Sequence, residues 1–233
     1  MFFYFDPWYL LLVLPAVILA GIAQLWVQST FRKYSKVGTL RGVTGREASE
    51  EIQRRNGITL PVERVGGNLT DHYDPRTNVI RLSDPVYGVN SVAAVGVAAH
   101  ETGHALQYAK GYAPIRLRAA ILPVTQIGST LSPYLVLLGL LFETMNFLAW
   151  AGIFLFGLSV LFQLITLPVE FNASARALKA LSEGGMMTSE ELAGARKVLT
   201  AAAEHGSRIH YLYHVATNRA TVDFSCFSHN RSS

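Results

Sequence analysis

Three long apolar segments dominate the pattern of hydrophobic and polar positions along this chain of 233 residues: 8–27, 121–142 and 147–168. Each is long enough, at about 1.5 Å per helical residue, to cross roughly 30 Å of hydrocarbon. The first has no basic region before it and no clear cleavage site before Gln24. We therefore interpret it as a retained anchor and not as a signal peptide.

The second apolar segment is less uniform, because its first half carries prolines and polar side chains. This half could line the protein interior instead of facing lipid. The interrupting residues are Pro123, Gln126, Ser129, Thr130, Ser132 and Pro133. A short polar link from Glu143 to Asn146 follows, so the second and third segments are predicted to form a helical hairpin.

The polar stretch between the first and second apolar segments predicts a small unit of mixed helices and strands. Thr44 and Glu47 have the spacing of a capping box, and their helix should run to about residue 57. Residues 61–65 and 79–82 are predicted as two short strands. A longer helix should begin at a cap on Asn90 or Ser91 and stop at Gly111.

The C-terminal part changes character after residue 203. Residues 188–203 predict a helix with Thr188 as its N-cap, whereas 204–233 are polar, rich in His and Arg, and without helical periodicity. We interpret this tail as a shifted reading frame or another divergent end. The alternative is a His-rich metal-binding tail.

Composition independently favours a membrane protein. Half of the residues are hydrophobic, 15% are charged, and the mean hydropathy is +0.27, all unusual for a soluble domain. The lone cysteine, Cys226, excludes an intramolecular disulfide, which fits a reducing compartment.

The basic residues predict an orientation in the membrane. All 20 Lys and Arg lie in residues 32–118 and 176–231, and none lies in 1–31 or 119–175. By the positive-inside rule, both basic blocks face the cytoplasm, and the N-terminus and the link at Glu143 lie outside. These blocks explain the net charge of +4, and no base-stacking motif accompanies them, so we expect no nucleic-acid partner.

The most specific chemical signal is His100-Glu101-Thr102-Gly103-His104, which reads His-Glu-x-x-His within the predicted helix. Residues four apart lie on one helical face, so both imidazoles can reach one ion while Glu101 flanks the site. Two His ligands on Zn²⁺ with a Glu as general base is the arrangement of a metalloprotease. A chance pentapeptide on an ordinary helix is the alternative.

A catalytic zinc needs a third protein ligand, and Glu170 is the favoured candidate. It is a lone carboxylate that follows an apolar run of about twenty residues, where a charge needs a reason to exist. The alternative is that Glu170 only caps the first turn of a helix. Weaker ligand candidates are Asp71, His72, His205, His210, His214 and His229.

Two separated motifs, around His100–Gln107 and around Glu170–Leu178, resemble the YugP-type membrane zinc metallopeptidases of bacteria. Tyr73–Thr77 and Arg81–Ser83 also resemble that family, and the resemblance covers most of residues 1–203. It implies a gluzincin-like site with one Zn²⁺ on His100, His104 and Glu170, and Glu101 as the base. Related proteases carry an Asp where this chain has Ser174, so Ser174 or Asn172 is expected to accept the ring N–H of a ligand His.

We therefore expect a mainly α membrane protein with a small cytoplasmic zincin-like α+β metalloprotease domain. Its expected parts are an anchor (1–30), a catalytic segment (31–120), a membrane hairpin (121–168), a cytoplasmic helical region with the third ligand (169–203) and the tail (204–233). Peptides or membrane proteins are the expected substrates, and lipid is the expected surroundings. The alternatives are a non-catalytic zinc-containing membrane scaffold and an intramembrane protease, although the apolar run before His100 is too short for the latter.

Substrate contacts are also predicted. Zinc peptidases commonly bind substrate along an edge strand beside the motif helix, and we expect residues 79–83 to be that strand, with simple core packing as the alternative. A donor is needed for the tetrahedral oxyanion. The candidates are His72, Tyr73, Tyr108 and Arg176.

Overall fold

The computed structural model describes residues 25–201 together with Ile18 and Ile22. Most of the first apolar segment and the whole of the tail at 204–233 lie outside the described residues. Residues 25–34 are helical. The elements that follow, in chain order, are α1 (Gly45–Arg55), β1 (Val62–Val65), β2 (His72–Asp74), β3 (Val79–Ser83), α2 (Asp84–Tyr87), α3 (Val92–Ala109), α4 (Ala113–Leu141), a 3-10 turn (Glu143–Met145) and α5 (Asn146–Glu183). A further helix, α6, occupies 189–201. The described chain is mostly helical, with one small sheet.

Local capping chemistry sets the helix starts, as the sequence predicts. Thr44 and Glu47 form a reciprocal capping box on α1. The Ser91 hydroxyl accepts the backbone N–H of Ala94 and begins α3. On α6, the Thr188 hydroxyl accepts the Glu191 N–H while the Glu191 carboxylate accepts that of Thr188. Gly111, with φ of 67°, follows the end of α3 in a conformation that glycine adopts without strain.

The sheet corrects one expectation. Its strand order is β1-β3-β2, with β1 parallel and β2 antiparallel to β3. The prediction that residues 79–83 form an edge strand is therefore wrong, because β3 is the central strand. Val79, Ile80, Leu82 and Ser83 are all buried, so packing on both faces is what this strand provides. The edges are β1 and the three-residue β2.

Helix α3 is the centre of the described structure. One of its faces packs against α1, α5 and α6, in a cluster that includes Ile52, Val95, Leu181 and Leu199. The opposite face packs on the sheet through a second cluster that includes Ile80 and Leu82. Small residues along α3 let these neighbours approach, and burial of apolar surface on both faces stabilises the helix at about 25 cal/mol per Å².

Helices α4 and α5 form the predicted hairpin, which is held by close backbone contact. At Gly139, an added Cβ would overlap the backbone nitrogen of Ala149. The Ser132 hydroxyl donates to the carbonyl of Gly152 at 2.8 Å. The Ser159 hydroxyl, in turn, lies 3.4 Å from the carbonyl of Thr125. Ser132 of α4 thus turns towards α5, and Ser159 of α5 turns towards α4.

The outer surface of the hairpin is apolar, and both helices are long and apolar enough to cross a membrane. Along α4, Val124 and Ile127 are exposed, whereas Thr125 and Ser132 are buried. Exposed large apolar residues of the hairpin include Val124, Ile127, Leu131, Leu137, Trp150, Ile153, Phe154 and Leu161. Helix α5 continues without a break past residue 168, where a boundary between the membrane hairpin and a separate helical region was expected.

Asp71 joins β2 to β3. Its carboxylate accepts the backbone N–H of Ser83 at 2.7 Å and the Ser83 hydroxyl at 2.8 Å. Burial raises the pKa of Asp71 to about 6, and the nearby charge of Glu101 acts in the same direction. The folded state therefore holds the Asp71 proton more tightly than the unfolded chain does.

This raised pKa predicts a pH dependence of stability. Between about pH 4 and pH 6 the unfolded chain loses the Asp71 proton before the folded protein does, so stability from this group falls as pH rises through that window. Asp71→Asn can keep both contacts to Ser83 without ionising. Over this pH window, the free energy of unfolding of the variant should therefore fall less than that of the parent, by up to roughly 3 kcal/mol. The measurement is thermal unfolding of the metal-free protein in detergent at several pH values. Parallel curves for parent and variant would contradict the assignment.

Candidate metal centre

Helix α3 places His100 and His104 side by side on one face, four residues apart. Their rings meet edge to face, with centroids 4.7 Å apart and planes at 84°. Both side chains are buried, at 7% and 8% exposure, in a helix whose other faces are already packed. The helix therefore presents the two imidazoles together to a single enclosed point.

Glu170 from α5 meets the two imidazoles. Its Oε2 lies 3.2 Å from His100 Nε2 and 3.3 Å from His104 Nε2, and Glu170 is only 2% exposed. One ligand atom from each residue lies within 4.8 Å of the others, and among residues 25–201 this is the only such group of three. Glu170 lies deep inside α5, so the alternative that it caps a first turn is wrong.

Close contact between the backbones of α3 and α5 makes this meeting possible. A Cβ added at Gly103 would lie 2.6 Å from the carbonyl oxygen of Ala173, which no folded protein tolerates without a shift. Gly103 occupies one of the two free positions of the motif, and Ala173 follows Glu170 by three residues. The glycine thus lets α5 approach closely enough for Glu170 to reach between the two imidazoles.

Gln107 holds the outer side of His104. Its Nε2 donates to the carbonyl of Val169 at 2.8 Å and to Asn172 Oδ1 at 3.0 Å, which leaves its Oε1 as an acceptor 3.0 Å from His104 Nδ1. His104 Nδ1 must therefore carry the proton. In the neutral ring, Nε2 then presents a lone pair towards Glu170.

Ser174 lies on the outer side of the other imidazole. Its hydroxyl oxygen is 3.2 Å from His100 Nδ1, one of the two contacts expected from the sequence. Asn172 is placed differently, because its Oδ1 accepts from Gln107 and from Arg176 Nε at 2.7 Å. Asn172 thus acts on His104 only through Gln107.

The atoms at the centre of this group are placed to share a cation. His104 Nε2 and the carboxylate oxygen of Glu170 are both acceptors, and they face each other across 3.3 Å in a buried site. Burial opposes the charged form of His104, but attraction to Glu170 outweighs it and raises the pKa of His104 above its ordinary value. Two imidazoles and one carboxylate form a donor set that suits Zn²⁺, so the residues fit the ion.

Glu101 flanks this group without belonging to it. Its Oε2 accepts the backbone N–H of Tyr73, in the edge strand β2, at 3.0 Å. That contact ties the carboxylate next to the motif histidine to the sheet. Glu101 is partly exposed, in contrast to the three buried candidate ligands.

The remaining predicted residues have contacts of their own. His72 Nδ1 lies 2.8 Å from the carbonyl of Thr70. Arg176 donates to Asn172 and its guanidinium lies 5.9 Å from the ring centre of Tyr112. Asp71, a weaker ligand candidate, is engaged with Ser83 and is absent from the group of three. The candidate histidines of the tail lie outside the described residues.

Sequence reasoning missed two residues that touch the group. One is Gln107, which is fully buried three residues after His104. The other is Arg118, whose Nη1 lies 2.7 Å from Glu170 Oε1. A buried amide within an apolar helix and an Arg at the start of a long apolar segment were the available signals, but neither reveals its partner.

Comparisons with known proteins agree with this geometry. Residues 9–205 match the family described as "Putative neutral zinc metallopeptidase". The chain is 47% identical over 196 residues to the "Putative membrane protease YugP" of Bacillus subtilis. The aligned region covers 84% of this chain and 87% of that protein. No solved structure matches the chain.

The close approach at Gly103 predicts a sharp difference between two glycines of α3. Gly103→Ala should push α5 away from α3. This shift should lower the melting temperature and move Glu170 out of reach of the two imidazoles. At Gly96 an added Cβ would meet Ala195 Cβ at an ordinary 3.6 Å. Gly96→Ala should therefore keep both properties, helped by about 1 kcal/mol of helix propensity. Thermal unfolding and bound-metal analysis of both variants check this; equal behaviour would contradict the packing argument.

Proposed function

The chain belongs to the putative neutral zinc metallopeptidase family, and we propose that it is a membrane-anchored zinc-dependent endopeptidase that acts near the cytoplasmic membrane surface. The observation that carries the proposal is the buried group of His100, His104 and Glu170 beside the partly exposed carboxylate of Glu101. Three protein ligands leave a further position for water or substrate, as in catalytic zinc sites. A purely structural site is normally closed by four.

His100, His104 and Glu170 would hold one Zn²⁺. When bound there, the ion would lower the pKa of water towards about 7 and polarise the scissile carbonyl. The contacts from Ser174 and Gln107 to the outer ring nitrogens keep the imidazoles oriented. Such contacts fix the tautomer that a metal ligand requires.

Glu101 is the proposed general base. The backbone N–H of Tyr73 donates to Glu101 Oε2 and so orients the carboxylate. Glu101 Oε1 is then the oxygen proposed to transfer the proton. Glu101 would take a proton from the attacking water and give it to the departing amine when the C–N bond breaks. Both steps use the same carboxylate, so it ends the reaction as it began.

The structure narrows the candidate donors for the oxyanion. The Tyr73 hydroxyl donates to Asn78 at 2.8 Å, and Arg176 is engaged with Asn172. Tyr108, one helical turn beyond His104, is half-buried and packs on Tyr73 with ring centres 5.5 Å apart. We retain Tyr108 as the candidate donor.

Membrane anchoring is supported by the α4–α5 hairpin and by the name of the Bacillus subtilis relative, "Putative membrane protease YugP". The metal group lies at one end of the hairpin, near the start of α4, and the link at Glu143 lies at the other end. The basic blocks flank the hairpin on the side of the metal group. That charge bias supports a cytoplasmic site, with peptides or membrane proteins as substrates.

Two alternatives lead to different results. A zinc-containing scaffold would not need Glu101. Substitution of Glu101 should then change no measurable property of the protein. An intramembrane protease would need its motif inside a spanning helix. Among residues 25–201, α4 and α5 are the helices that qualify as spans, and α3 is not one of them.

The first functional prediction separates base from ligand. The parent should bind one zinc per chain and cleave an unfolded protein substrate. Glu101→Gln should keep the zinc and lose activity by a factor of about 10² to 10⁴, because only the proton acceptor is removed. His100→Ala should lose the zinc as well. Metal analysis and proteolysis of the detergent-purified chain test both, and a Glu101→Gln variant with parental activity would overturn the assignment.

The second functional prediction concerns orientation. In a Cys226→Ser background, a cysteine placed at Glu143 should react with an impermeant reagent in intact cells, and one placed at Gly66 should react only after lysis. The two basic blocks require this pattern. Reversed labelling would place the metal group outside the cell.

A further inference from the structure

Arg118 makes a contact that the proposed reaction does not itself use. It lies near the start of α4, five residues after Ala113, and its Nη1 is 2.7 Å from Glu170 Oε1. Side-chain exposure is 13% for Arg118 and 3% for Glu170, so the pair is enclosed. Arg116, two residues earlier on the same helix, is exposed and offers a natural comparison.

The two carboxylate oxygens of Glu170 have different partners. Oε1 faces the guanidinium, and Oε2 faces both imidazole Nε2 atoms at 3.2 and 3.3 Å. A buried carboxylate needs a compensating charge, and the guanidinium supplies one that cannot be lost by deprotonation. The pair therefore keeps the carboxylate of Glu170 turned in one direction.

We propose that Arg118 is a positioning residue that holds Glu170 as a single-oxygen ligand, with Oε2 facing the metal position and Oε1 withheld from it. The proposal rests on the proposed function, since it assumes that zinc binds at this group. It also explains how the hairpin and the metal group are coupled, because Arg118 belongs to α4 and Glu170 to α5. The ion pair sets the relation of these helices at the end where the group lies.

Removing the guanidinium should act on the metal and not only on folding. Arg118→Gln leaves both oxygens of Glu170 able to turn towards the ion, and loss of such an outer contact typically lowers metal affinity by about 10- to 100-fold. With Co²⁺ in place of zinc, two-oxygen ligation raises the coordination number and weakens the visible absorption. Arg116→Gln, which removes a neighbouring exposed cation, should leave both properties unchanged.

The experiment measures zinc affinity by chelator competition, and the Co²⁺ spectrum, for the full-length chain in detergent. Arg118→Gln should show weaker zinc binding and a paler Co²⁺ spectrum, whereas parental values would overturn the proposal. In a Glu170→Gln background, Arg118→Gln should cause no further loss of affinity. An equal loss in that background would mean that Arg118 acts elsewhere, and would also overturn it.

If Arg118→Gln fails to fold, Arg118→Lys retains the charge and should give an intermediate affinity, and a fully parental affinity and Co²⁺ spectrum would reject the need for the guanidinium. If the parent and Arg116→Gln bind no zinc at this group, the proposed function fails and the positioning role fails with it. If both bind zinc and the Arg118 variants match them, only the positioning role fails.

Discussion

At Gly103 the backbone of α3 lies against the backbone of α5 at Ala173, with no room for a side chain between them. The contacts of the candidate metal centre that join α3 to α5 depend on that distance. His100 and His104 reach Glu170 because of it, and Gln107 reaches the carbonyl of Val169. The packing of α3 against α1, α6 and the sheet then keeps the helix from moving to relieve the contact.

The centre concentrates polar groups in a place where they are costly. A buried carboxylate, two imidazoles and a buried amide stand among apolar side chains, and each needs a partner to offset the loss of water. The partners come from different elements: Arg118 from α4, Ser174 from α5, and the carbonyl of Val169 for Gln107. A bound cation would satisfy the acceptors that remain, so ion binding and the packing of α3, α4 and α5 should stabilise each other.

The same helix carries the exposed apolar surface of the hairpin and the candidate metal ligand. Helix α5 runs from Asn146 to Glu183, with an exposed apolar surface in its first part and the candidate ligand Glu170 further along. Because the helix is continuous, the position of Glu170 along the hairpin axis follows from the helical rise. Under the proposed orientation, the reactive group would lie at the cytoplasmic end of the hairpin, within reach of peptides at the membrane surface.

The sequence by itself determined the local features of this protein: helix starts at Thr44, at Thr188 and at one of Asn90 and Ser91, the pairing of His100 with His104 on one face, and two apolar helices joined near Glu143. These follow from short-range spacing and from capping chemistry between neighbours in the chain. It also singled out Glu170, because an isolated charge after an apolar run is itself informative. The place of β3 at the centre of the sheet, the contacts of Gln107 and Arg118, and the role of Gly103 were decided only by the tertiary structure. Each of these joins residues far apart in sequence, and their spatial proximity depends on how complete helices and strands pack, which no local pattern encodes.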